Sequence, residues 1–389
     1  MCLVLLLAAC GGDDGVNDAG VVDDAGPADS GPPDGGPPPD PFADYFEAGP
    51  HPAGNRRFEL EDGDRGRTLP VEVWYPADES ARAAAATGQT LSAFEADPPR
   101  SDTFASLLTD APDCVRTQTR SADAPTPAEG PWPLVVFSHC HVCTRFDVAS
   151  VAERLASFGI AVAAPDHEGN TLWDQLEGTA ASVGEEFLEV RVADVRFVLD
   201  SLLGSDAAVP AELAGQFDAA RVGVMGHSFG GSTAGITAAR DDRIRAGLSI
   251  TAPLTALGGG APITTIDTPF LFLLAQEDNS IQAVGNELIR NEHRRIPAPA
   301  VLVEVEDAGH WSFSDYPGLI ELFDPGCGMG TRQIGGDPFT YLDPEIARDI
   351  AADVAAAFFA RHLLDDPGGL TPVILGHPSG RTVVELNGR

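Results

Sequence analysis

From Pro133 onward, short apolar runs alternate with stretches of helical periodicity for more than 200 residues, and that alternation leaves few folds open. The runs are "PLVVFS" (133–138), "IAVAAP" (160–165), "RVGVMG" (221–226), "AGLSIT" (246–251), "PFLFLLA" (269–275) and "AVLVEVE" (300–306). Between them, Asp147 is placed to cap a helix carrying Val148, Val151, Leu155 and Phe158, closed by Gly159. Leu188, Val192, Val195, Leu199 and Leu202 mark a second helix that stops at Gly204. Asp343-Pro344 opens a last helix presenting Ile346, Ile350, Val354 and Phe358. Continuous apolar strands separated by helices predict a mainly parallel sheet with helices on both faces. Upstream, "FELEDGDRGRTLPVEVWYP" alternates apolar and polar residues about Gly63–Gly66, which predicts an antiparallel hairpin. The fold class is therefore α/β, with about eight strands and an N-terminal antiparallel hairpin.

Boundaries follow from texture. A single domain is expected over residues 56–365, carrying an insertion at 77–130 that lacks clear periodicity. Residues 366–389 are expected to form a tail, with a small hairpin beyond the core. Residues 11–55 are rich in Gly, Asp and Pro, and 11–50 hold ten acidic groups and no basic one. Such a composition cannot offset its own ordering entropy, so 11–55 reads as an extended acidic tether. Residues 1–10, "MCLVLLLAAC", read as the end of a secretory signal whose Leu7-Ala8-Ala9-Cys10 resembles the bacterial lipoprotein processing box. On that reading Cys10 is the lipidation site, and the protein is exported and anchored at the cell envelope. The anchor would be its one link to a membrane, because the apolar run is shorter than the roughly 20 residues a span needs.

The formal charge is −35, and no lysine is present. A surface this acidic repels phosphates, which argues against nucleic acid as a partner. A monomer is the expectation.

"GHSFGG" (226–231) follows the strand "RVGVM" and opens a helical stretch. The string alone is weak evidence; its place between strand and helix is stronger. A serine on so sharp a turn needs neighbours without side chains, which Gly226 and Gly230 supply. Its hydroxyl becomes nucleophilic only if a histidine takes its proton and a carboxylate orients that histidine. Asp278 ends one apolar run and His310 follows another, giving the order Ser228, Asp278, His310. Glu277 is the alternative acid.

The ordered set "LPVEVWYPA", "PLVVFSH", "ASFGIAVAAPDHEGN", "ADVRFVLD", "GHSFGGSTA" and "DAGHWSF" resembles α/β-hydrolases of the platelet-activating-factor acetylhydrolase and dienelactone-hydrolase-like kind. The resemblance implies hydrolysis of carboxylic esters, of short-acyl or phospholipid type, through an acyl-enzyme and without metal or organic cofactor. A polyester or cutinase-like hydrolase is the alternative within enzymes, and a non-catalytic surface binding protein the alternative outside them. The resemblance also implies an oxyanion hole with Phe229 as one backbone donor. Cys140 or His141 would be the other, with Cys140 standing where the family has glycine.

Four cysteines remain once Cys2 and Cys10 are set aside, and sequence alone does not choose among their three pairings. "SHCHVC" (138–143) also carries the residue types of a metal site or a redox pair. Structural disulfides are the favoured reading for an exported chain, as Cys140–Cys143 and Cys114–Cys327. Phe146, Trp173 and Trp311 are candidate walls of a substrate pocket, bordered by 77–130 and 314–343.

Overall fold

A computed structural model of the protein describes residues 45–255, 262–324 and 326–389. Cys10 and the signal and tether readings up to residue 44 lie outside the described residues. In chain order, the hairpin strands β1 (Ala53–Asp62) and β2 (Arg67–Pro76) precede α1 (Arg82–Thr87), α2 (Pro98–Asp110) and β3 (Ser121–Asp123). Then come β4 (Trp132–Ser138), α3 (Ala149–Ser157), β5 (Ala161–Pro165), α4 (Leu172–Glu177) and α5 (Glu185–Leu203). The central crossovers are β6 (Phe217–His227), α6 (Phe229–Arg240), β7 (Ile244–Ile250), β8 (Phe270–Ala275), α7 (Gln282–Arg295) and β9 (Ala300–Val305). The C-terminal part holds β10 (Met329–Thr331), β11 (Pro338–Thr340), α8 (Pro344–Leu363), α9 (Thr371–Leu375) and β12 (Thr382–Leu386).

One sheet of ten strands runs in the order β12-β9-β8-β7-β6-β4-β5-β2-β1-β3. The six strands from β5 to β9 in that order pair in parallel, while β2 joins β5 and β12 joins β9 antiparallel. Alternation along each strand divides the core. Val135, Phe137, Met225, Leu248 and Leu271 pack with residues of α3 and α8. Leu134, Val136, Val222, Val224 and Phe272 pack with residues of α5, α6 and α7. Both faces are covered, which is why these strands read as unbroken apolar runs.

Three expectations are corrected. The sheet has ten strands rather than about eight, because β3 and β12 extend its two edges beyond the readable runs. The tail is not a hairpin: α9 is a short helix, and β12 pairs with β9 in the main sheet. Nor does the tether extend to 55. Tyr45 is buried against Phe158, Arg154 donates to the Tyr45 and Glu47 carbonyls, and β1 begins at Ala53. Aromatic Tyr45 supplies apolar burial that the preceding Gly/Asp/Pro run lacks. The 77–130 insertion holds α1, α2 and β3. Among the described residues no helix is long and apolar enough to cross a membrane.

Candidate active site

Ser228 sits between β6 and α6 with φ 55° and ψ −121°, in backbone territory that a side chain rarely occupies. The glycines around it are a steric requirement. A Cβ on Gly226 would lie 2.0 Å from the Gly230 carbonyl oxygen, and one on Gly230 would lie 1.8 Å from that of Ser138. The turn folds this tightly only because both side chains are absent.

Ser228, Asp278 and His310 are brought together at the carboxyl edge of the sheet. His310 Nε2 lies 2.8 Å from Ser228 Oγ, and His310 Nδ1 lies 2.7 Å from Asp278 Oδ2. Asp278 Oδ1 accepts the backbone N–H groups of Ser280 and Ile281 at 3.0 Å, which fixes the carboxylate from behind. Glu277, the alternative acid, turns away to Arg332 and the Gln333 N–H.

The 138–143 loop lies beside the turn. Its cysteines are bonded as Cys140–Cys143, and Cys114 is bonded to Cys327. Cys140, Cys143 and Asp147 lie close enough to suggest metal ligands, but the two sulfurs are spent on each other and offer no thiolate. Hydrogen bonds fix how the loop's peptides face. The His139 carbonyl accepts from Arg191 Nη2 and lies beside the Gly230 Cα. The Cys140 carbonyl accepts from His139 Nδ1 at 2.7 Å. His139 Nε2 accepts the His167 N–H at 3.0 Å, so the proton of its neutral ring must be on Nδ1. Burial and the nearby Arg191 charge hold the His139 pKa well below the usual histidine range, keeping that ring neutral.

The cleft at Ser228 has a volume of about 480 Å³ and opens between the 138–143 loop, α7 and the segment after His310. Val183, Phe229, Ile281, Val284, Leu288 and Leu322 are among its apolar lining, and among the described residues no Asp, Glu, Lys or Arg lines it. Trp311 is also in the wall. Phe146 and Trp173 are not: both are buried in an aromatic cluster around Phe104. The cleft takes Leu322 from the 314–343 border and nothing from 77–130.

Three buried groups escaped the sequence reading. Asp147 does not cap α3, which starts at Ala149 behind Val148. Its carboxylate instead accepts from His227 Nδ1 at 2.7 Å and from Ser314 Oγ at 2.6 Å. Arg191 is fully buried on α5, bonded to Asn170 Oδ1 and stacked over the Phe229 ring at 4.6 Å. Burial pulls its pKa down to about 9, still leaving it a cation at neutral pH. Finally, Ser138, His167 and Asp194 repeat the serine–histidine–carboxylate geometry, at 2.9 and 3.0 Å. Ser138 has no exposure, and burial with the Arg191 charge drives His167 down to about 4. This second array is therefore a sealed support for the loop. Isolated polar residues in apolar runs were the available signal, but only the fold shows which of them meet.

The family model "Dienelactone hydrolase family" matches residues 121–319, and "Platelet-activating factor acetylhydrolase, isoform II" matches 48–176. A probable 1-alkyl-2-acetylglycerophosphocholine esterase of Arthroderma benhamiae is 28% identical over 49% of this chain and 50% of its own length. The platelet-activating factor acetylhydrolase of Canis lupus familiaris is 23% identical over 60% of this chain and 57% of its own length. The chain thus spans about half the length of these curated relatives. A ferulic acid esterase from Streptomyces cinnamoneus superposes with a TM-score of 0.60 at 26% identity, covering 81% of this chain and 91% of that structure.

Proposed function

The chain belongs to the dienelactone hydrolase family, and from that premise we propose that it is a serine hydrolase of carboxylic esters. One observation carries the reading: the hydrogen-bonded line from Ser228 through His310 to Asp278, opening on an apolar cleft. Ser228 Oγ attacks the ester carbonyl as His310 Nε2 takes its proton. Asp278 holds the Nδ1–H tautomer and stabilises the imidazolium, which then protonates the departing alcohol. Water attacks the acyl-enzyme by the reverse path and releases the acid.

The oxyanion donors in this reading are the N–H groups of Phe229 and His141, each worth about 3 kcal/mol of transition-state stabilisation. Phe229 is the first residue of α6, so its N–H has no partner within the helix. Of the two loop candidates, His141 is supported by peptide geometry. A trans peptide points its C=O and N–H in opposite directions. The His139 carbonyl faces Gly230, so the Cys140 N–H faces away from the turn, whereas the Cys140 carbonyl is drawn aside by His139. His141, which lines the cleft, is therefore the loop donor in this reading.

The substrate class in this reading is a neutral ester with apolar substituents, because the lining among the described residues offers no charged partner to a phosphate, ammonium or carboxylate. Export with lipidation at Cys10 is part of the proposal, supported by two disulfides that suit an oxidising compartment. The test is labelling by a fluorophosphonate probe, followed by hydrolysis of p-nitrophenyl esters of rising acyl length, a phosphocholine ester and a polyester film. Labelling of wild type but not of Ser228→Ala, with faster turnover of neutral esters, is expected. No labelling would leave a binding protein on a hydrolase scaffold; preference for the phosphocholine ester or the film would replace the substrate class.

A further inference from the structure

The hydrogen atoms around Asn170 can be placed from chemistry. Arg191 Nη1 lies 2.8 Å from Asn170 Oδ1, and a guanidinium can only donate, so the amide orientation is fixed. The amide nitrogen then donates to the Ala181 carbonyl at 2.8 Å and to His141 Nδ1, also at 2.8 Å. An amide NH2 only donates in turn, so His141 Nδ1 must be the acceptor. Burial depresses the His141 pKa and the Arg191 charge adds to the effect, so the ring is neutral. Its single proton is on Nε2.

The relay has one open end. Arg191 and Asn170 are fully buried, while His141 is half-buried and lines the cleft beside Ser228 and Phe229. Few polar side chains share that wall. Ser228 and His310 form the proposed reacting pair, and Ser232 donates to the Pro253 carbonyl at 2.7 Å. The Ser280 hydroxyl can rotate to donate or accept. The imidazole of His141 has no such choice, because its other edge is locked from behind.

We propose that His141 is a substrate-recognition residue whose Nε2–H donates to an acceptor oxygen carried by the ester beyond its reacting carbonyl. The preferred substrates are then esters with a hydroxy, alkoxy, keto or second ester oxygen on an otherwise apolar substituent, favoured over hydrocarbon isosteres. The inference rests on the esterase reading of the cleft, but the tautomer stands apart from it.

Two measurements test it. In 15N-histidine NMR of the full chain at pH 7, His141 should show the Nε2–H tautomer; an Nδ1–H tautomer or an imidazolium overturns the proposal. Kinetics then compare isosteric pairs. On the acyl side these are p-nitrophenyl methoxyacetate and butyrate; on the alcohol side, 2-methoxyethyl acetate and butyl acetate. The wild-type preference for the oxygen-bearing member should fall about tenfold in His141→Phe on at least one side, the worth of one good hydrogen bond. His141→Gln, which keeps an N–H near the ε position, should recover part of it. Unchanged ratios on both sides in His141→Phe overturn the proposal. Fluorophosphonate labelling of the same wild-type sample keeps the two readings separate: absent labelling counts against the esterase, whereas labelling with unchanged ratios counts against His141 alone.

Discussion

The ring of His227 donates from Nε2 to the backbone carbonyl of His310 at 3.1 Å, so the residue before the candidate nucleophile holds the chain of the candidate base. Its Nδ1 meets the Asp147 carboxylate at 2.7 Å. Both partners accept, so both ring nitrogens must donate, and His227 is an imidazolium. Burial opposes that charge, but Asp147 outweighs it and raises the pKa above its ordinary 6.5.

The sign of the pH effect follows. A raised folded-state pKa contributes stability that is complete below pH 6.5 and is lost as pH climbs through the folded value. Asp147→Asn removes the carboxylate that mainly opposes burial, so the His227 pKa falls and the ring loses its charge at lower pH. Thermal melts from pH 5.5 to 9 should show wild type losing stability through its alkaline limb while the variant is flatter. Parallel curves for the two proteins would reject the assignment.

Asp278→Asn should lower kcat by roughly 10³- to 10⁴-fold, because an amide can stabilise the wrong imidazole tautomer and cannot balance the imidazolium. KM should barely move. Glu277→Gln, by contrast, should leave kcat within a fewfold of wild type, since Glu277 faces Arg332. Equal losses in steady-state assays of the two variants would show that the acid has been misassigned.

The two disulfides should differ in what they do. In the chain-entropy picture Cys114–Cys327, with a sequence separation of 213, contributes roughly 5 kcal/mol, and the four-residue Cys140–Cys143 loop roughly 2 kcal/mol. Cys114→Ser/Cys327→Ser should therefore melt well below wild type yet keep its turnover at low temperature. Cys140→Ala/Cys143→Ala should melt closer to wild type but turn over more slowly, because the loop carrying the proposed His141 donor is freed. Calorimetry paired with kcat on both double variants decides; the reverse pattern would refute the division.

His167 supplies the opposite pH sign to His227. Its folded pKa of about 4 lies below the unfolded 6.5, so its contribution is complete above pH 6.5 and is lost as pH falls through 4. The stability gap between wild type and His167→Gln should shrink over that window by up to about 3 kcal/mol. Urea titrations at pH 7, 5.5 and 4 measure it, and a constant gap would mean that the buried ring is not neutral.

How much of this was legible beforehand depends on sequence distance. Strands buried on both faces announce themselves, and so do a glycine-flanked serine and the order Ser228, Asp278, His310, since each is local. The edge strands were not legible: β3 is three residues long, and β12 is defined by pairing with β9 across the chain. Phe146 and Trp173 show the same limit, as an aromatic residue near a motif can face the core. Asp147 read as a helix cap because caps are local, whereas its partners His227 and Ser314 are 80 and 167 residues away. Asn170 only closes the segment "ASFGIAVAAPDHEGN", with no role readable from it, and Arg191 carried no motif at all. Their meaning is the direction of a hydrogen bond, which only the assembled fold supplies.

The pairing of β12 with β9 has a practical side. β9 leads into the loop that carries His310, and β12 covers its otherwise open flank. Cut the chain before Thr382, and an apolar strand would present a bare hydrogen-bonding edge, a template for joining other copies into aggregates.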